Sequence, residues 1–359
     1  MSATSMLWLI AGVLAAPMAL AQSGPPPLTP EAAAAAAGNY QRYCALCHGD
    51  ERQGHVNDHA PSLKSPSLIA SAFPYLLGEA IAYGRHGTPM GAYLDEVGGP
   101  MTRQEVIDMT LWLRDVADVE PIQIDPGTVA GDARAGEAVY QAHCAECHGR
   151  AGEGGTGTAL GNATMLALSP DAFLRHAIVN GREDTPMPAF AGTLSDAEID
   201  NVTAFLRSRS TGWSVTRREL RKPPALDAAV INPDGDAPTF ELREGRYVLA
   251  AELDRELKAK RRMVLLDTRV TSMWQLAHLE GSVPLPYYAD RDAVAGSLPR
   301  DGTWIVAYCE CPRAAADSVV RWLREDGFEN TAVLYEGIQG WVALGYPVTA
   351  GDASVEATD

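Results

Sequence analysis

Cys44-Ala45-Leu46-Cys47-His48 and Cys144-Ala145-Glu146-Cys147-His148 repeat one pattern, Cys-x-x-Cys-His, in a chain with six cysteines. On a helix, cysteines at i and i+3 face one side and can each form a thioether to a haem vinyl, while the adjacent histidine reaches the iron. Two other chemistries use the same residue types. Zinc would need two more Cys or His at ligand spacing in each copy, and a redox dithiol would not demand the histidine twice. The expectation is therefore covalent attachment of two haems, held by Cys44, Cys47, Cys144 and Cys147 with His48 and His148 on the irons. The other two cysteines, Cys309 and Cys311, sit together far downstream. Cys309 directly follows the apolar run Trp304–Tyr308 and a helical stretch begins a few residues later. A thiolate there lies among backbone N–H groups at a helix N-terminus, which stabilise its charge.

The elements that must position these residues also repeat. Tyr40 stands four residues before Cys44, and Tyr140 stands four before Cys144. Gly84-Arg85-His86-Gly87-Thr88-Pro89-Met90 matches Gly181-Arg182-Glu183-Asp184-Thr185-Pro186-Met187. A capping-box signature follows each, Thr102-x-x-Glu105 and Ser195-x-x-Glu198, opening a helix whose apolar positions (Val106, Met109, Leu113; Ile199, Val202, Leu206) recur in step. Residues 31–118 and 131–210 thus read as two copies of one small helical unit. Both copies resemble class I c-type cytochromes over nearly their whole length. That resemblance implies all-α domains and a second axial ligand from a later loop, Met90 in the first copy and Met187 in the second. A thioether is a softer, weaker donor than a second imidazole, so it favours ferrous iron, raises the potential and fills the last open site. The weaker ligand candidates are Met101, His55, His59 and His86 in the first copy, and Met165 and His176 in the second. Pro188 follows Met187, whereas Gly91 follows Met90.

From residue 240 the pattern changes to short apolar runs alternating with helices. Met263–Asp267, Val283–Leu285, Trp304–Tyr308 and Ala332–Tyr335 read as buried strands, and Leu253–Lys260 and Ala314–Asp326 as helices. Residues 240–350 resemble the rhodanese family through Asp267-Thr268-Arg269, His278-Leu279-Glu280-Gly281, Pro286, Gly337, Trp341, Gly345 and Pro347. The resemblance implies an α/β domain with a parallel sheet, in which Cys309 accepts sulfane sulfur as a persulfide from thiosulfate or another persulfide. The loop Cys309-Glu310-Cys311-Pro312-Arg313-Ala314 departs from the family pattern, lacking its usual glycine and its Arg-Ser or Arg-Thr ending. Arg313 offers positive charge, Glu310 opposes thiolate formation, and Cys311 either resolves the persulfide, closes a Cys-x-Cys disulfide or is itself the nucleophile. A catalytically inactive domain used for docking is the other reading of this fold.

The chain is thus expected to be multidomain, two all-α cytochrome c domains followed by an α/β rhodanese-like domain. Its function is expected to be electron transfer coupled to sulfur transfer or sulfur-compound oxidation, with electron transfer alone as the alternative. Residues 211–239, rich in proline and carrying the basic cluster Arg217, Arg218, Arg221 and Lys222, read as a linker long enough that the last domain need not be docked on the haems. With 46 acidic and 29 basic side chains the net charge is −17, which excludes nucleic acid as a partner and suits basic redox proteins. Met6–Ala21 is nearly all apolar and ends in Ala-Leu-Ala, so residues 1–21 read as a signal peptide and the mature chain as periplasmic. The alternative is an uncleaved membrane anchor, though the apolar run falls short of the roughly 20 residues needed to cross a bilayer.

Overall fold

The computed structural model describes residues 27–350 apart from 56, 58, 125–126, 216–218 and 311–313. The segment read as a signal peptide, together with Arg217, Arg218, Cys311 and Arg313, therefore lies outside the described residues. Two helical units come first. One contains α1 (Pro30–Tyr43), α2 (Ala45–His48), α3 (Pro66–Ser71), α4 (Pro74–Tyr83) and α5 (Arg103–Asp115). The other contains α6 (Ala133–His143), α7 (Ala145–His148), α8 (Ala163–Leu168), α9 (Asp171–Asn180) and α10 (Asp196–Ser208). Both capping boxes form: Thr102 and Ser195 accept from the N3 backbone while Glu105 and Glu198 reach back. Each satisfies two of the donors that a helix start leaves without partners. The first and last helices of each unit pack together, α1 on α5 and α6 on α10. Tyr40 meets Trp112 at 5.3 Å between ring centroids, and Tyr140 meets Phe205 at 5.1 Å.

The two units join through matching surfaces. Helix α3 packs on α9 and α4 on α8, the crossings that a pseudo-twofold axis between the repeats generates. Ile69, Leu76 and Leu77 of the first unit enter the core of the second beside Leu166, Phe173 and Leu174. Polar contacts obey the same axis. Glu183 accepts from the Ser67 backbone N–H at 2.9 Å, and Asn162 donates to the His86 carbonyl at 2.7 Å. Each Thr-Pro-Met loop is thereby held against the neighbouring unit.

The third unit is a sheet in the order β1 (Val230–Ile231), β3 (Met263–Asp267), β6 (Trp304–Tyr308), β7 (Thr331–Leu334), β2 (Tyr247–Val248), with β5 (Val283–Pro284) on β3. β4 (Ala277–His278) pairs separately with β8 (Thr349–Ala350). The central strands β3 and β6 are almost wholly buried, as their uninterrupted apolar runs require, and cores lie on both faces. Helices α11 (Ala250–Lys258), α12 (Thr271–Leu276), α13 (Arg291–Ala295), α14 (Ala314–Glu325) and α15 (Gly337–Ala343) complete this unit. The sheet is mixed rather than purely parallel, because β1 runs antiparallel to β3. That strand falls inside 211–239, so the segment read as a linker supplies an edge strand.

Nor is the third unit free of the others. Trp213 meets Tyr83 edge to face at 5.5 Å, and Gln275 brackets the Arg221 backbone, accepting from its N–H at 2.9 Å and donating to its carbonyl at 2.8 Å. Val270 enters the core of the first helical unit. A side chain on Gly91 would begin 2.3 Å from Val270 Cγ1 and 2.8 Å from Met273 Sδ, so this contact admits only glycine. The difference between Gly91 and Pro188 thus follows from docking. Overpacking costs about 1–3 kcal/mol, against roughly 1 kcal/mol for one hydrogen bond, so Gly91→Val is expected to release the third unit more effectively than Tyr287→Phe, which would remove the hydroxyl that Tyr287 of the third unit shares with Tyr93 of the first. Limited proteolysis between residues 211 and 222 should then accelerate while the helical content measured by far-ultraviolet circular dichroism stays unchanged.

Candidate haem and sulfur sites

The attachment motifs adopt one geometry twice. α1 and α6 end at Tyr43 and His143, and the chain re-enters a single turn, α2 or α7, that carries the second cysteine and the histidine. Tyr40 Oη donates to the Gly49 carbonyl at 2.8 Å and Tyr140 Oη to the Gly149 carbonyl at 2.8 Å, pinning each motif to its first helix. His48 Nδ1–H donates to the Pro61 carbonyl at 2.8 Å, and His148 Nδ1–H donates to the Thr158 carbonyl at 2.8 Å. These bonds select the tautomer whose Nε2 lone pair is available to a metal. Burial holds both imidazoles below their ordinary pKa, which keeps them neutral, as a ligand must be. Burial also pushes Cys44 up to about 12 and Cys144 up to about 11. A redox dithiol needs the opposite shift, so the pairs suit thioethers.

The Thr-Pro-Met loops are superposable in their bonding. Arg85 N–H donates to the Met90 carbonyl at 2.7 Å, and Thr88 Oγ1 both donates to the Arg85 carbonyl at 2.7 Å and accepts from Met90 N–H at 3.2 Å. Arg182, Thr185 and Met187 repeat this at 3.1, 2.7 and 3.2 Å. Gly84 and Gly181 open the loops at φ 69° and 68°, where any side chain would also strike the backbone at Met90–Gly91 or Met187–Pro188. Met101 is 1% exposed and enclosed by the first unit's core, and Met165 Sδ accepts from Ser169 Oγ. His55, His59 and His86 are exposed, and His176 is tied to Asn180.

Arg85 and Arg182 are sequence-repeated residues to which the motif reading gave no role. Burial pulls both guanidinium groups down to about 10; among the described residues Arg85 Nη1 has no partner, whereas Arg182 Nη1 donates to Ser67 Oγ at 3.4 Å and to Ser71 Oγ at 3.5 Å. A half-buried cation beside each candidate ligand loop, with an orphaned donor in the first copy, fits an acidic prosthetic group such as haem, whose propionates would pair with it. The donor set of two thiols, one neutral imidazole and one thioether fits the same group.

In the third unit, Cys309 closes β6 and is 3% exposed. Its carbonyl accepts from Ile338 N–H at 2.9 Å, which fixes the loop on α15, and Sγ lies 3.1 Å from the Glu310 carbonyl. Asp267, Arg269 and Glu310 form a buried ionic triad next to it. Arg269 forks onto Asp267 at 2.9 and 2.6 Å and reaches Glu310 at 2.9 Å. Glu310 therefore turns its carboxyl toward Arg269, answering part of the objection that it opposes a thiolate. Burial still raises the Glu310 carboxyl, with the neighbouring Asp267 charge adding to it and Arg269 and Gln339 only partly opposing it. A raised carboxyl contributes stability below its unfolded value near 4.5 and loses it as pH rises through the folded value. Glu310→Gln is accordingly expected to gain stability over wild type progressively above about pH 4.5, measured as the denaturant midpoint against pH.

Between this loop and the first attachment motif stands a tyrosine cluster that was not singled out in the sequence. Tyr93 and Tyr287 share a hydrogen bond at 2.8 Å, both hydroxyls reach the Tyr43 carbonyl, and Tyr288 meets the Tyr43 ring edge-on at 4.8 Å. Helix α14, which begins at the Cys309 loop, packs on α2. The adjacent Tyr287-Tyr288, just past Pro286, was the available sequence signal.

Two family models match parts of the chain. Residues 131–206 match the family Cytochrome C oxidase, cbb3-type, subunit III, and residues 249–344 match the Rhodanese-like domain. Dihydro-heme d1 dehydrogenase of Pseudomonas aeruginosa is 42% identical over 118 residues, 32% of this chain and 24% of that protein. The chain therefore spans about a quarter of that relative. Cytochrome c6 of Synechococcus is 32% identical over 93 residues, 24% of this chain and 78% of the relative. Among solved structures, a rhodanese-related protein from Thermoplasma volcanium is 27% identical and covers 29% of this chain and 97% of its own, with a TM-score of 0.26.

Proposed function

We propose, for a chain that belongs to the c-type cytochromes and carries a C-terminal rhodanese-like domain, that two covalently held haems transfer electrons in concert with sulfur chemistry at Cys309. The observation that supports this coupling is the packing of α14, the helix that follows the Cys309 loop, on α2 of the first attachment motif. When bound, the haems supply one-electron acceptance at a potential raised by His48/Met90 and His148/Met187 ligation. Arg85 and Arg182 would balance the charge of the propionates. Cys309 Sγ, as thiolate, attacks the outer sulfur of thiosulfate; a Cys309 S–S bond forms, the thiosulfate S–S bond breaks, and sulfite leaves with the electron pair. Arg313 supplies positive charge to the loop, and Cys311 is the competing thiol: its attack on Cys309 Sγ would form a Cys309–Cys311 disulfide and expel the sulfane sulfur as sulfide, ending the cycle without electron release. Condensation of the persulfide anion with an external thiol would give a trisulfide, one proton and two electrons, and the haems would supply the one-electron acceptors that this oxidation needs.

Among the described residues no helix is long and apolar enough to cross a membrane. Residues 1–21 act as an export signal in this reading and the protein works in the periplasm, with a basic redox protein downstream. The direct test is anaerobic addition of thiosulfate with a small thiol, or of a small-molecule persulfide, to the oxidised holoprotein while the haem bands are followed, with the thiol alone as control. Reduction supports coupling. Sulfur transfer to cyanide without haem reduction leaves two uncoupled activities, and neither leaves an electron carrier. A pyridine-haemochrome assay is expected to count two haems per chain, and one or none would defeat the reading of the repeat. The burial of Cys309 and the packing of the third unit on the first favour a second reading, a docking module without sulfur transfer.

A further inference from the structure

The two helical units carry the same aromatic pair at the same place, yet only one pair is covered. Tyr43 and Tyr93, 6.2 Å apart, correspond through the repeat to His143 and Phe190, 6.4 Å apart. Tyr43 and Tyr93 are each 8% exposed beneath Tyr287 and Tyr288, with Val270 on Gly91. In the second unit His143, Glu146 and Cys147 are exposed, as are Pro188 and Ala189 beside Phe190. Where Leu46 lies partly covered in the first unit, the second presents Glu146. Glu198 sits near enough to His143 for their charges to interact, and its carboxyl is held below the usual range chiefly by the Ser195 backbone N–H. Arg175 and Arg207 are bound by acidic partners, Asp196 and Asp200 for the first and Asp171 for the second.

We propose that this face of the second unit, centred on His143 and Phe190 and edged by Glu146 and Glu198, is the docking surface for an external electron-transfer protein with a basic contact face. It is the counterpart of the surface that the chain's own third unit occupies on the first copy. The internal complex shows what such a face accommodates, a small aromatic and apolar patch. The substitution of Glu146 for Leu46 turns it toward a charged, dissociable partner. The first unit's face serves the third unit, and the second unit's face serves the exit of electrons. The proposal rests on the electron-transfer reading of the second unit but not on Cys309.

A basic blue-copper protein, whose visible band is distinct from those of haem, is a suitable probe. With the holoprotein reduced by dithionite and separated from excess reductant, oxidation by the probe is followed by stopped flow at low ionic strength. Glu146→Lys is expected to slow the bimolecular rate roughly five- to tenfold, with the difference vanishing at high salt. Glu241→Lys, an equal change of net charge on the third unit, should have little effect. Calorimetric titration of the two oxidised proteins should show the same loss of binding in Glu146→Lys, independently of electron transfer. Equal rates and equal affinities for Glu146→Lys and wild type, equal effects of the two variants, or equal preference for an acidic blue-copper protein would each overturn the assignment. So would a dimer in sedimentation equilibrium that Glu146→Lys dissociates, because the occupant would then be a second copy of this chain. Persulfide-driven haem reduction, assayed separately, can fail without affecting any of these outcomes.

Discussion

Cys309→Ser is expected to reduce sulfur transfer to cyanide to the uncatalysed background and to leave both haems oxidised after anaerobic addition of a persulfide. A serine hydroxyl is not ionised at neutral pH and does not form a persulfide, so no residual route through this atom remains. The substitution replaces sulfur by oxygen inside a buried loop anchored by the Ile338 N–H, a bond the backbone makes and serine retains. Both haem spectra should therefore match wild type before sulfur is added. Haem reduction that survives in Cys309→Ser would mean that the sulfur compound reduces the haems directly, and the coupled reading would fall. Reduction lost in Gly91→Val while cyanide-dependent sulfur transfer persists would place the coupling in the docked arrangement.

Arg269→Met should produce the largest loss of stability of any variant considered. Asp267 and Glu310, 0% and 8% exposed at their side chains, would lose their shared counter-charge. Removing one partner from a buried ion pair costs about 3–5 kcal/mol because the remaining charge stays desolvated. A domain is stable by only about 5–15 kcal/mol, so much of the third unit's margin disappears. Guanidinium denaturation followed by tryptophan fluorescence should show an early transition for this unit, while the haem bands report the helical units at their wild-type midpoint. Should the third unit fail to fold at all, Arg269→Lys, which keeps the charge and loses the fork, is expected to fall between the two. A midpoint within about 0.5 kcal/mol of wild type, the range of an ordinary surface change, would show that the triad is not a stabilising centre.

Legibility in the sequence followed the range of the interactions. The Cys-x-x-Cys-His motifs, the capping boxes and the buried strands Met263–Asp267 and Trp304–Tyr308 are local patterns, set by spacing and periodicity, and the structure builds helices and strands at those places. The sheet's antiparallel edge was not legible because Val230-Ile231 is too short to announce a strand and lies among prolines. Docking was hidden for another reason: Val270, Tyr287 and Tyr288 read as ordinary apolar or aromatic residues of their own unit. Only their contact with Gly91, Tyr43 and Tyr93 gives them meaning. The one local trace was Gly91 where the repeat has Pro188, and a glycine that departs from its copy can mark a close approach as well as a turn. Arg85 and Arg182 were visible as repeated residues, but their burial, which makes them informative, belongs to the tertiary structure.

The contact between the third unit and the first copy also has a consequence for how strong that contact must be. The units are tethered through residues 211–239, part of which is already fixed by Trp213, by the backbone at Arg221 and by the strand Val230–Ile231. Short tethers hold their ends at effective concentrations in the millimolar range. An interface that would bind only at millimolar strength between separate proteins, about −4 kcal/mol, can therefore be substantially populated here. The two units behave as a complex that forms by ring closure instead of by diffusion: its occupancy does not depend on protein concentration, and cutting the tether would dissolve it by dilution alone.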